Sequence, residues 1–372
     1  MTAVDLIQSL NTDVLKAIDH YVDEGKKVIG ISAPGVVPEE IIHAAGLVPV
    51  TVWGAEGEVV EAKEYFPAFY ASIILRTMDL GLQGKLDKLS GMVITNLSDG
   101  LKGFSQNWKR AIPQIPMLYI PYGQNRKIEA GIEYNARQFG HLKDNLAEIA
   151  GKDISDDAIE EAIKLYNEHR KAMLEFNALA AKHLNSITPL LRNRVFASAY
   201  CYAKDEHLAK VKEINEALKA MPEEDFKGKK VVTTGILVNS EDILKIFEEF
   251  DFGIVDDNVL HESLQYEVQA EEGTGNPLHA LAQVFADIEG NTFVFDEKKL
   301  RGPIIAKKVK ESGAAGVIYL MTKFSDTDEF DYPILRDDLQ KENIPLNMVE
   351  VDQQMVSFEQ AKTALQTFAD ML

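Results

Sequence analysis

The chain has 372 residues, 46% of them apolar and 26% charged, with a formal net charge of -20. Its length exceeds what one hydrophobic core covers, so two or three domains are expected, and the negative balance excludes nucleic acid and anionic membrane as partners, because both need phosphate neutralisation by Lys and Arg. No apolar run approaches the ~20 residues that span a bilayer, and the amino terminus lacks a basic region followed by an apolar core, so a cytoplasmic protein is predicted.

In chain order, Ala3 to Gly25 carries apolar positions at helical spacing and reads as one helix ending at Gly25. Val28 to Ser32 is the first strand. Pro38-Glu39-Glu40 opens a short helix that stops at Gly46, and Val48 to Trp53 is a second strand aimed at the loop Gly54 to Gly57. Pro67 opens a longer helix, Ala68 to Leu80, with Ala71 in its first turn. Gly91 to Asn96 is a β-branched run with the length of a buried parallel strand. Leu97-Ser98-Asp99-Gly100 breaks it, with Ser and Asp as helix caps before an amphipathic segment. Met117 to Tyr122 is a further strand, followed by a loop that carries two cations, Arg126 and Lys127.

From Ile128 to Met221 the pattern is helical throughout, and Pro222 to Lys230 is its exit. Strands resume with Val231 to Thr234 and its sequel Gly235 to Val238, whose loop Asn239 to Asp242 caps the next helix. Gly253 to Val255 ends at Asp256-Asp257. The loop Glu271 to Pro277 has two glycines but neither the Walker Lys-Ser/Thr nor the dinucleotide glycine spacing, so a plain mobile loop is expected there. Gly316 to Met321 is followed by Thr322 to Asp326 and a polar helix start, and Leu346 to Val351 and the helix Phe358 to Met371 close the chain.

The fold class is therefore α/β. Two open parallel-sheet, Rossmann-like domains (1-127 and 228-372) face a central cleft and are joined by a helical segment (128-227). Both halves place a Ser-Asp pair, Ser98-Asp99 and Ser325-Asp326, where a strand hands over to a helix. In open α/β sheets that edge is where ligands bind, so both pairs are expected on the rim of the cleft.

The chemistry available is limited. The single cysteine, Cys201, allows no internal disulfide and no multi-cysteine metal or iron-sulfur site, and its apolar, Tyr-rich surroundings predict a buried, inert thiol. Eight scattered histidines form no H-E-x-x-H pair, and no G-x-S-x-G elbow exists, so no metal site is expected. Acids near strand ends (Glu39, Asp99, Asp256, Asp257, Asp326, Glu350, Asp352) are general-base candidates only if burial lifts their pKa, and helix capping is the plainer role.

The combination of VPEEIIHAAGLVPVTVWG, YFPAFYASI, LSDGLKGFSQNWKRA, QNRKIEAG, KKVVTTGIL, TKFSDTDEFDYP and VEVDQQ resembles the smaller, β-type subunit of the 2-hydroxyacyl-CoA dehydratases, over nearly the whole chain. The family includes lactyl-, phenyllactyl-, 2-hydroxyisocaproyl- and 2-hydroxyglutaryl-CoA dehydratases. The resemblance implies a heterodimer with a larger α-type subunit, an acyl-CoA substrate bound on that partner, and an ATP-dependent activator protein that injects one strongly reducing electron. A ketyl radical anion then expels the 2-hydroxyl group to give the enoyl-CoA. Members commonly hold a [4Fe-4S] cluster in the cleft, and related β subunits usually carry Cys where this chain has Ala71, Ser98 and Ser325, and often where it has Gly103.

Serine offers a poor, hard ligand to iron, and Ala and Gly offer none. The expectation is a cleft lined by Ala71, Ser98, Gly103 and Ser325 with Asp99, Asp326 and Glu39 nearby, no metal and no cofactor bound by this chain, and [4Fe-4S] clusters on the partner subunit and the activator. Flavin is left open by the resemblance, and no flavin-specific motif stands in the sequence. Two alternatives remain beside this reading: a non-catalytic paralogue that binds a small acyl or phosphorylated ligand in the vacated cleft, and a homodimer built on the same interface.

Overall fold

A computed structural model describes residues 1–53, 56–238 and 240–372. Gly54 and Ala55 in the loop after the second strand, and Asn239 in the loop expected to cap a helix, lie outside the described residues. The expected first helix is two: α1 (Ala3–Gln8) and α2 (Val14–Asp23). Asp13 separates them, its carboxylate accepting from the backbone N–H of Leu15 and Lys16, so an N-cap overrides the apolar spacing that runs through it.

The first half continues as β1 (Val28–Ile31), α3 (Glu39–Ala44), β2 (Val48–Thr51), α4 (Ser72–Leu82), β3 (Gly91–Thr95), α5 (Asp99–Ala111) and β4 (Met117–Ile120). Helix α4 starts four residues later than the sequence suggested, with Ala71 as its N-cap rather than inside its first turn. The middle is α6 (Glu129–Ala150), α7 (Asp156–Ala180), α8 (Pro189–Ser198) and α9 (Lys204–Lys219). The last third is β5 (Lys229–Gly235), α10 (Glu241–Glu249), β6 (Phe252–Val259), α11 (Pro277–Asp287), α12 (Arg301–Ser312), β7 (Gly316–Thr322), α13 (Asp326–Lys341), β8 (Leu346–Val351) and α14 (Glu359–Met371).

Among the described residues the strands form two all-parallel, four-stranded sheets, ordered β2-β1-β3-β4 and β6-β5-β7-β8. The two orders are the same, so each half reverses direction at one point, between β1 and β3 and between β5 and β7. Residues of β1, β3 and β7 are buried on both faces, as helix-covered parallel sheets require. Two strand limits differ from expectation. Gly235 ends β5 at φ +144°, beside the Leu320 carbonyl that leaves no room for a Cβ, so residues 236–238 leave the sheet. Strand β6 runs on to Val259, which puts Asp256 and Asp257 inside the sheet rather than in a loop.

The cores are not strictly consecutive in sequence. Ala280, Leu281 and Phe285 of α11 belong to the core of the first sheet, while Leu6 and Ile7 of α1 belong to the core between α7, α8 and α9. Both α/β halves and the helical middle are thereby tied by contacts distant in sequence.

Candidate functional site

The carboxyl ends of both sheets converge on a cavity of about 500 Å3. Its wall takes Leu97 and Ser98 from beyond β3, Gln124 from beyond β4, Ile236 from beyond β5 and Thr322 from the end of β7. It therefore sits at the reversal point of both sheets, where an open α/β sheet splays apart and leaves a crevice. The first turns of α4, α5 and α13 also open onto it.

Of the residues singled out from sequence, Ala71, Ser98, Asp99, Ser325 and Asp326 all line this one cavity. The two Ser-Asp loops are alike in position and unlike in bonding. Ser98 Oγ accepts from Leu101 N at 3.1 Å and caps α5. Ser325 is the N-cap of α13 but makes no side-chain capping bond. Asp99 is exposed and pairs with Lys102 at 3.0 Å, one turn along its own helix. Gly103 is not in the wall. It faces Tyr70, which is, and the tyrosine hydroxyl fills the space a side chain there would need. Between β7 and α13, Phe324 is held at φ +60°, a left-handed conformation unusual for an aromatic residue, with its N–H donating to Glu329 Oε1 at 3.1 Å.

Glu39 is elsewhere. It lies in a separate hollow of about 50 Å3, 3.1 Å from Lys204 Nζ and 3.4 Å from the Tyr166 hydroxyl, next to the Glu40–Arg170 ion pair. Asp256 pairs with Lys308, and Asp257 is fully buried against Arg192, so both are held inside the fold. The cations of the 123–127 loop are also engaged: Arg126 donates to the carbonyls of Phe285, Ala286 and Phe295, and Lys127 pairs with Glu289. The two-glycine loop is tied down rather than free, Gly273 N and Gly275 N donating to the Glu160 carboxylate at 2.8 and 3.2 Å.

Sequence reasoning missed the aromatic character of the cavity and its polar annex. Phe69, Phe324 and Phe330 are exposed at its wall, and Thr322 and Gln353 stand in an adjoining hollow. Thr322 was recoverable as the residue ending a strand run; Gln353 lies in a coil far along the chain and only the fold brings it here.

The family described as 2-hydroxyglutaryl-CoA dehydratase, D-component, matches residues 34–372. The chain is a member of that family. It is 42% identical over 368 residues to the (R)-phenyllactyl-CoA dehydratase beta subunit of Clostridium sporogenes, covering 99% of this chain and 97% of the relative. It is 38% identical over 378 residues to the lactoyl-CoA dehydratase subunit beta of Anaerotignum propionicum, covering all of both. To the (R)-2-hydroxyglutaryl-CoA dehydratase subunit beta of Acidaminococcus fermentans it is 37% identical over 374 residues, covering 99% of this chain and 98% of the relative.

An iron-sulfur cluster of the kind the family resemblance implies does not fit the donors present in this member. Such clusters are held by thiolates. In the cavity wall Ala71 has no donor atom, the Ser98 hydroxyl is committed to its helix cap, and Ser325 offers a neutral hydroxyl. Gly103 has no side chain, and Tyr70 fills its place. Cys201 is not in the wall of this cavity; it is packed with Ala17 and Tyr200, and burial pushes its thiol up to about 12. Among the described residues no group of three His, Cys, Asp or Glu could hold a metal ion.

Proposed function

We propose that this chain is the β-type subunit of a heteromeric 2-hydroxyacyl-CoA dehydratase, which removes water from an (R)-2-hydroxyacyl-CoA to give the 2-enoyl-CoA, and that it carries no [4Fe-4S] cluster of its own. Full-length similarity to three dehydratase beta subunits supports the first part. The observation that carries the second is the wall of the interdomain cavity, where Ala71, Ser98 and Ser325 supply no sulfur.

On this reading the chain is a scaffold. It pairs with a larger, cluster-bearing α-type subunit, on which the acyl-CoA binds and the carbon-oxygen bond breaks, and an ATP-dependent activator supplies the electron. No bond-breaking step falls to the residues of this chain. Tyr70 and the α13 loop stand in the wall of its own cavity.

The test is anaerobic purification of the chain alone and together with a larger, cysteine-bearing relative from the same host. Iron and acid-labile sulfide on the chain alone should be near zero. Dehydration should require the larger subunit, the activator and ATP together. A stoichiometric cluster on the lone chain, or turnover without the larger subunit, would overturn the proposal.

A further inference from the structure

A second hollow of about 30 Å3 adjoins the main cavity between the two α/β halves, and the two share Ile73 and Thr322 in their walls. Buried polar groups in native proteins are almost always hydrogen-bonded, because an unpaired one is costly. Here three side chains in the wall of that hollow break the rule: Gln353, Thr322 and, less deeply buried, Ser240 through its Oγ. Gln353 is 8% exposed, and neither its amide nitrogen nor its amide oxygen has a partner. Thr322 is 2% exposed and its Oγ1 is also unpaired.

Gln353 is not loosely placed. Its N–H donates to Ser72 Oγ at 3.0 Å and its carbonyl accepts from Gly57 N at 3.1 Å. The backbone thus fixes a free carboxamide, one donor and one acceptor group, in the wall of the small hollow. The larger chamber beyond is mainly apolar, with Ile73, Ile74, Leu97, Ile236 and Phe293 in its wall.

The charges decide what kind of ligand can enter. Among the described residues the one cation in either wall is Lys102, already paired with Asp99, while four acids, Glu56, Asp99, Asp326 and Asp352, are present. A carboxylate or a phosphate would meet several acids and no free cation, and coenzyme A would find no partner for its phosphates. A neutral head with its own donor and acceptor suits the site. The hollow has room for two or three water-sized atoms, which a carboxamide supplies.

We propose that this cavity binds an uncharged carboxamide with an aromatic or branched aliphatic body. The head donates N–H to Gln353 Oε1 and accepts from Gln353 Nε2, Thr322 Oγ1 makes a further contact, and the body fills the apolar chamber. This rests on the cluster-free reading of the same cavity, since a cluster held there would fill the space.

The test is calorimetric titration of the full anaerobically purified chain with 3-phenylpropanamide and 4-methylpentanamide, against 3-phenylpropanoate, with iron measured on the same sample. An iron-free chain should bind at least one amide, and the propanoate at neutral pH at least about tenfold more weakly. Gln353→Leu and the isosteric Thr322→Val should each weaken the amide about tenfold while the melting temperature holds. The inference is overturned if an iron-free chain shows no amide binding up to about 10 mM, so that the hollow holds water only, if both folded variants bind as the parent does, or if the propanoate binds equally well. Stoichiometric iron in the sample would instead overturn the cluster-free reading.

Discussion

The hydroxyl of Tyr70 stands in the space that a side chain on Gly103 would need. Gly103 is in the body of α5, where alanine is ordinarily favoured by ~1 kcal/mol. Tyr70 is held there by ring contacts with Phe66 and Phe69, at centroid distances of 4.8 and 6.1 Å. Gly103→Ala should therefore leave stability within ~0.5 kcal/mol in the parent chain and raise it by ~0.5–1 kcal/mol in a Tyr70→Leu background. Denaturant midpoints of the four chains in the cycle check this. Equal effects of Gly103→Ala in both backgrounds would show that the two residues do not compete for the space.

The two Ser-Asp loops should respond differently to loss of their hydroxyls. Ser98→Ala removes a cap bond to Leu101 N and should cost about 1 kcal/mol. Ser325 makes no such bond, so Ser325→Ala should change stability by less than ~0.5 kcal/mol. Chemical denaturation of the two variants side by side decides it, and a Ser325→Ala loss as large as that of Ser98→Ala would contradict the geometry.

Both loops were legible in the sequence because a buried strand run followed by capping residues is a local signal. That five of the singled-out positions share one cavity follows from that signal repeated on two sheets of the same order. What failed was mostly non-local. Glu39 also follows a strand, but Lys204 on α9 draws it into another hollow. Asp256 and Asp257 look like a loop after Val255 until Arg192 and Lys308, both distant in sequence, neutralise them inside β6. The break between α1 and α2 is a different case. Asn11-Thr12-Asp13 is a turn-and-cap signal, and the apolar spacing on either side masked it.

The two cations of the loop after β4, Arg126 and Lys127, act as structural ties. Arg126 is 1% exposed and donates to Phe285, Ala286 and Phe295, closing the carboxyl end of α11 against the first sheet. Arg126→Met would leave these carbonyls buried without a donor and should cost ~3 kcal/mol. Lys127 is half exposed, and Lys127→Met should cost under ~0.5 kcal/mol despite its ion pair with Glu289. Thermal unfolding of both variants tests the contrast. Similar losses would mean that the loop is held by charge rather than by the buried donors.

Three buried histidines set the acid limit of the fold. His207 and His261 are pulled down to about 3, and His169 is held well below its ordinary value, all chiefly by burial. The hydrogen bonds require the neutral rings. Ser198 Oγ donates to Val195 O, so it accepts from His207 Nε2 at 2.9 Å, which leaves His207 Nδ1 to accept from His169 Nε2 at 2.7 Å. A proton on His207 Nδ1 would face the N–H of His169. Because the folded pKa lies below the unfolded value of 6.5, this stability is complete above pH 6.5 and is lost as pH falls toward 3. Each such histidine contributes a slope of up to ~1.4 kcal/mol per pH unit in that window. His261 has both ring nitrogens unpaired, so His261→Leu should be neutral or stabilising at pH 7.5 and should flatten the acid limb by one histidine's share. Urea midpoints from pH 8 to 5 measure this directly, and an unchanged slope in His261→Leu would show that its ring is not held neutral by burial.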